Sequence, residues 1–139
     1  MTTWMVVEDE PGLYDMVLAM YDTLGIAGLA FAAGEEAIEW LDAVNGGRWD
    51  DELPELALID IRLPGAVDGV AVSAALRDSQ QLGDIAIVLM TAYHLSPTDE
   101  REILRRSGAD KLVYKPLPGL KQFDALLRGA VADRQKTGE

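Results

Sequence analysis

Cysteine is absent from this 139-residue chain, histidine occurs once, and aromatic residues make up only 6% of it. Without thiols there are no disulfides and no thiolate metal sites, a composition compatible with a reducing cytoplasm. Basic residues are scarce: 12 Lys and Arg stand against 24 Asp and Glu, for a formal net charge of -12. Such a charge repels nucleic-acid phosphates and anionic membrane surfaces, so neither direct nucleic-acid binding nor membrane attachment is expected. No apolar stretch approaches the roughly 20 residues that span a bilayer. The opening Met1-Thr2-Thr3 lacks the basic and apolar segments of a signal peptide. Internal repeats and low-complexity tracts are missing as well.

What remains is a chain 49% hydrophobic, long enough for one core and too short for two. Residues 1–134 read as a single domain and 135–139 as a C-terminal tail, with fraying expected from Asp133. Apolar runs of strand length near residues 3–7, 26–32, 56–60, 85–90 and 111–114 alternate with helical periodicity over 11–24, 35–45, 69–81, 98–107 and 120–134. That alternation predicts repeated strand-helix units around a parallel sheet. The third and fourth runs are almost continuously apolar, as strands covered on both faces are. Pro11 suits a first helical turn, while Gly25, Gly46 and Gly108 stand where helices should stop. Val17, Leu18, Tyr21 and Leu24 on the first helix, and Ala37, Ile38, Leu41 and Val44 on the second, form apolar stripes best read as core. Trp40 reads as core too. Trp49, inside a surface loop over residues 46–55, fits either a core or a partner anchor.

Pointed chemistry stands at the ends of these runs. Glu8, Asp9 and Glu10 follow the first, Asp60 ends the third, Thr91 follows the fourth and Lys115 follows the fifth. The carboxyl ends of parallel strands share one edge, where ligands bind. Carboxylates, a hydroxyl and an ammonium converging there suit a divalent cation and a phosphoryl group. Glu10 has an equally good reading as a solvated acid at a helix start. His94, in a loop, reads as an exposed and inert side chain.

Five pieces, in order, give the pattern a family. Val6-Val7-Glu8-Asp9-Glu10-Pro11, Leu58-Ile59-Asp60-Ile61-Arg62-Leu63-Pro64-Gly65, Asp68-Gly69, Met90-Thr91-Ala92, and Ser107-Gly108-Ala109-Asp110 leading to Lys115-Pro116 together resemble the receiver domain of two-component response regulators, over nearly the whole length. The resemblance implies a flavodoxin-like (βα)5 α/β fold, a doubly wound parallel sheet in the order 2-1-3-4-5. It implies Asp60 as phosphoacceptor, with Thr91 and Lys115 serving the phosphoryl group. It also implies Mg2+ held by Glu8, Asp9, Asp60 and the backbone carbonyl of Arg62, and a cis Lys115–Pro116 bond. Arg62 and Tyr93 would flank the entry to the phosphoryl site, and the small Ala92 would leave space beside Thr91. The implied activity is a self-catalysed phosphorylation and dephosphorylation rather than turnover of a substrate. The implied partners are a sensor histidine kinase or a histidine phosphotransfer protein, and a downstream protein at the fourth helix, fifth strand and fifth helix. Residue 139 is followed by no output segment in this sequence, so either the signal is expected to leave through another protein, onward phosphotransfer or phosphorylation-linked homodimerisation, or the chain is a receiver cut from a longer protein.

Three departures stand out. Aspartate is usual in the family where this chain has Glu8. An aromatic residue is common three positions before the lysine, where this chain has Leu112, and Tyr114 shares its face of the strand but not its depth. The loops Pro64 to Gly69 and Tyr93 to Thr98 are slightly long. Competing readings are a phosphorylation-independent interaction module of the same fold and a phosphatase with an aspartyl nucleophile.

Overall fold

The structure, a computed structural model, describes residues 1–137. Its elements alternate throughout: β1 (Thr3–Val7), α1 (Pro11–Thr23), β2 (Ala27–Phe31), α2 (Gly34–Asn45), β3 (Leu56–Asp60), α3 (Gly69–Asp78), β4 (Ala86–Thr91), α4 (Pro97–Ser107), β5 (Lys111–Tyr114) and α5 (Leu120–Thr137). The five strands pair in parallel in the order β2-β1-β3-β4-β5.

The near-continuous apolar character of β1, β3 and β4 follows from cover on both faces. Successive side chains along a strand point to opposite sides. Trp4, Val6, Leu56, Leu58, Val88 and Met90 accordingly face Val17 and Tyr21 of α1 and Phe123 and Leu127 of α5. Met5, Val7, Ala57, Ile59, Ile87 and Leu89 face the buried stripes of α2 and α3, with Ile103 of α4 packed against them. The two apolar stripes read from the sequence are core, as expected: Val17, Tyr21, Ala37, Leu41 and Val44 are buried.

Several boundaries differ from the periodicity. The strand expected at 26–32 contracts to Ala27–Phe31, and the one at 85–90 moves to Ala86–Thr91. The helix expected at 69–81 stops at Asp78, because Ser79 turns extended and its hydroxyl bonds Asn45 Oδ1 at 2.7 Å. The fifth helix runs past the expected 134 to Thr137, with Arg134 reaching back to the carbonyls of Asp84 and Gly83 at 3.3 and 3.4 Å. Residues 135–137 of the expected tail are thus helical, and its last two lie outside the described residues. Gly108 caps α4 at φ +70°, a left-handed conformation that favours glycine. After α2, Gly47 rather than Gly46 takes that conformation, at φ +73°.

Both tryptophans of the α2 side belong to the core. Trp40 is buried and Trp49 meets it edge-on, ring centroids 5.9 Å apart, so the loop over residues 46–55 folds back as a cover. The Trp49 side chain is therefore packed inward instead of being offered to a partner.

Candidate functional site

Parallel register is what gathers the pointed residues. Val7 stands opposite Ile59, Asp60 opposite Met90, and Thr91 opposite Tyr114. The next residue of each strand therefore emerges at the same edge. Backbone bonds carry the alignment past the strand ends: Glu8 N to Phe31 O at 3.0 Å, Ile61 N to Met90 O at 2.9 Å, and Lys115 N to Thr91 O at 2.8 Å. Gly69, first in α3, lies against the Asp60 backbone so closely that a Cβ there would collide with the Asp60 carbonyl. The Lys115–Pro116 bond is cis.

At this edge one carboxylate oxygen from each of Glu8, Asp9 and Asp60 lies within 4.8 Å of the others. Lys115 Nζ donates to Glu8 Oε1 at 2.6 Å and to Asp60 Oδ2 at 2.9 Å. The other oxygen, Asp60 Oδ1, accepts the Arg62 amide at 3.1 Å. Asp60 is 6% exposed, Glu8 is fully buried and Asp9 is exposed, so the cluster has two sheltered acids and one open to solvent. Burial is the main reason Glu8 is pushed up to about 7; its bond from Lys115 works the other way, and the Asp60 charge adds to the rise. For Lys115, burial alone would lower the ammonium pKa, but its bonds to Glu8 and Asp60 outweigh that and raise it.

Two of the three acids thus share one ammonium, and Asp9 stands beside them. Hard oxygen donors crowded this closely, with one of them holding on to its proton near neutrality, fit a divalent cation. The donor set, all carboxylate oxygens, suits Mg2+.

The remaining expected residues are placed around this centre. Thr91 is buried, and its Oγ1 accepts the Tyr93 amide at 3.1 Å, which leaves the hydroxyl hydrogen free to donate. The Arg62 guanidinium lies over the Tyr93 ring at 3.9 Å, so a cation–π contact spans the β3–α3 and β4–α4 segments beside Asp60. Glu10 is not part of the cluster. It caps α1, accepting from Gly12 N at 2.9 Å and Leu13 N at 2.7 Å, and those amides lower its pKa. Asp60 caps no helix; Asp68 does so for α3, accepting from Ala71 N.

One arrangement escaped the sequence. His94 is exposed, as expected, but it is not unengaged: its ring stacks on Tyr114 with centroids 5.6 Å apart and planes 23° apart. The Tyr114 hydroxyl donates to Glu100 Oε2 of α4 at 2.8 Å. A period-2 reading of β5 could have flagged Tyr114 as the neighbour of Thr91, but nothing in the sequence pairs it with His94.

Comparisons with known proteins agree with this geometry. The family model for the response regulator receiver domain matches residues 4–127. A polar-differentiation response regulator DivK from Brucella anthropi is 28% identical over 114 residues, covering 81% of this chain and 83% of its own. The DivK of Brucella ovis is 33% identical over 89 residues, 62% of this chain and 68% of its own. Among solved structures, a CheY-like receiver domain protein from Methanospirillum hungatei superposes with a TM-score of 0.79 at 18% identity, covering 99% and 98% of the two chains. The receiver domain of sensor histidine kinase PA1611 from Pseudomonas aeruginosa, solved with a magnesium ion in its active site cleft, gives 0.76 at 22%, covering 94% and 98%.

Proposed function

The chain belongs to the response regulator receiver domain family, and on that footing we propose that it is a phosphorylatable switch of a two-component phosphorelay. The observation that carries this is the Lys115 ammonium held between Glu8 and Asp60, 2.6 and 2.9 Å from their oxygens, at a strand edge that also presents Asp9. Asp60 is the nucleophile. One of its oxygens bonds the phosphorus of a phosphohistidine on a sensor kinase or phosphotransfer protein, the P–N bond breaks, and the departing imidazole keeps the electron pair and takes a proton. Hydrolysis of the acyl phosphate by water returns the carboxylate and releases inorganic phosphate.

The other groups serve that exchange. Lys115 neutralises charge on the transferring group, and the Thr91 hydroxyl donates to one of its oxygens. Mg2+ held by Glu8, Asp9, Asp60 and the Arg62 carbonyl would supply the remaining neutralisation that lets one anion approach another. Arg62 and Tyr93, stacked over the edge beside Asp60, limit the access of water. Arg62→Ala and Tyr93→Ala are each expected to change the decay of the phosphorylated form about threefold or more by uncovering that edge, read as disappearance of label over time.

Output leaves through binding. The responding surface is α4, β5 and α5, where Arg101, Arg105 and Arg106 stand exposed on an otherwise acidic chain. A downstream protein, or a second phosphorylated copy, must bind one state better than the other to read the switch. The cytoplasm is the compartment that suits a cysteine-free phosphoacceptor served by a histidine kinase.

The test is intact-protein mass after incubation with acetyl phosphate, with and without Mg2+, for the wild type and Asp60→Asn. A metal-dependent gain of one phosphoryl group, abolished by the substitution, is expected. Absence of any gain would favour a phosphorylation-independent interaction module.

A further inference from the structure

Thr91 is the last residue of β4, and its hydroxyl is oriented by the segment that leads into α4. Its Oγ1 accepts the amide of Tyr93 at 3.1 Å, so the direction of the hydroxyl hydrogen depends on where residue 93 is held. The next residue, His94, is exposed, and the contact that fixes its ring is the stack on Tyr114, at 5.6 Å between centroids. Tyr114 in turn is anchored twice. It sits in register opposite Thr91 on the neighbouring strand, and its hydroxyl donates to Glu100 of α4 at 2.8 Å. Glu100 and burial raise the Tyr114 pKa, while the nearby Leu95 backbone amide opposes the rise, so the phenol oxygen lies against the same segment from a second side.

These contacts close a loop from Thr91 through Tyr93 and His94 to Tyr114 and back across the strand pair. The Thr91 main chain is fixed independently by the Lys115 amide. Its side chain is not. We propose that Tyr114 and His94 are positioning residues that clamp the segment between β4 and α4 and thereby aim the Thr91 hydroxyl toward the phosphoryl group on Asp60. The aiming rests on Asp60 being the phosphoacceptor; the clamp does not depend on it.

The experiment uses the full chain with His94→Ala, which removes the stack, His94→Phe, which restores a ring, and Tyr114→Phe, which removes only the hydroxyl. Amide hydrogen exchange of residues 92–95 is expected to quicken about fivefold in His94→Ala and in Tyr114→Phe, and to return near wild type in His94→Phe. Exchange at Asp9 and Glu10 should stay unchanged. With acetyl phosphate and Mg2+, the rate of phosphoryl gain should fall about threefold to tenfold in His94→Ala, with Mg2+ affinity unaltered. Combined with Thr91→Ala, the histidine substitution should cost nothing more, because the hydroxyl it positions is already gone. Exchange within about twofold of wild type in His94→Ala, or full additivity with Thr91→Ala, would overturn the proposal. A wild type that takes no phosphoryl group overturns the phosphoacceptor role instead, and exchange then decides the clamp by itself.

Discussion

Glu8 carries the sharpest consequence of a single residue. It is fully buried and its carboxyl is pushed from an ordinary 4.5 to about 7, chiefly by burial. In the metal-free fold it therefore holds a proton that the unfolded chain has already released. A raised folded-state value contributes stability that is complete below 4.5 and is lost as pH rises through about 7. In chelator, the melting temperature of wild type relative to Glu8→Gln is expected to fall between about pH 5 and about pH 8. A difference that stays level across that range would mean that Lys115 keeps Glu8 ionised throughout. The glutamate was visible in the sequence as a departure from the family's usual aspartate. Its entanglement with Lys115, 107 residues away, was not, because strand-end patterning says which residues share an edge and not which atoms touch. The same holds for His94: polarity and loop position made it look unengaged, and only the register of β5 brings a ring beneath it.

Arg77 does for the elements what Lys115 does for the site, at the opposite edge of the sheet. From the last turn of α3 it donates to Gly108 O at 2.7 Å, Gly83 O at 3.0 Å, Ile85 O at 2.5 Å and Asp110 Oδ2 at 2.8 Å. Asp110 also accepts the Ile87 amide at 2.8 Å, tying the α4–β5 turn to β4. One side chain, 14% exposed, thus satisfies three carbonyls and a carboxylate from separate segments. Arg77→Ala is expected to cost about 2 kcal/mol, since it takes a donor from the part-buried Ile85 and Gly83 carbonyls while Arg134 and the Ile87 amide still serve Gly83 and Asp110, read as a lowered urea midpoint. The folded fraction should still take a phosphoryl group at the wild-type rate, because all four acceptors lie away from Asp60. This network also explains where helix reading failed. Ser79, Gln80 and Gln81 are acceptable in a helix by propensity, yet Arg77 draws Gly83 and Ile85 back toward α3, which requires the chain to turn at Ser79. Tertiary capture of this kind overrides local preference and leaves no mark on periodicity.

Across the whole molecule, the alternation of apolar runs and helical stripes was enough to foresee five strand-helix units and the shared site edge, since both rest on period and order along the chain. The strand order came through family resemblance, and the structure bears it out. A net charge of -12 works against compactness by self-repulsion, and three of the acids are gathered at one edge. A cation that binds there has two separable effects. Any salt screens the overall repulsion, whereas an ion held by the cluster stabilises the fold by mass action, about 2.7 kcal/mol at a hundredfold excess over its dissociation constant. For a domain of this size that corresponds to a rise of roughly 8 °C in melting temperature. MgCl2 is therefore expected to raise the melting temperature well beyond NaCl of equal ionic strength. Asp9→Asn should abolish the excess, and because Asp9 is exposed its replacement leaves the core untouched. A rise reproduced in full by NaCl would assign the effect to screening alone and take the metal away from this cluster.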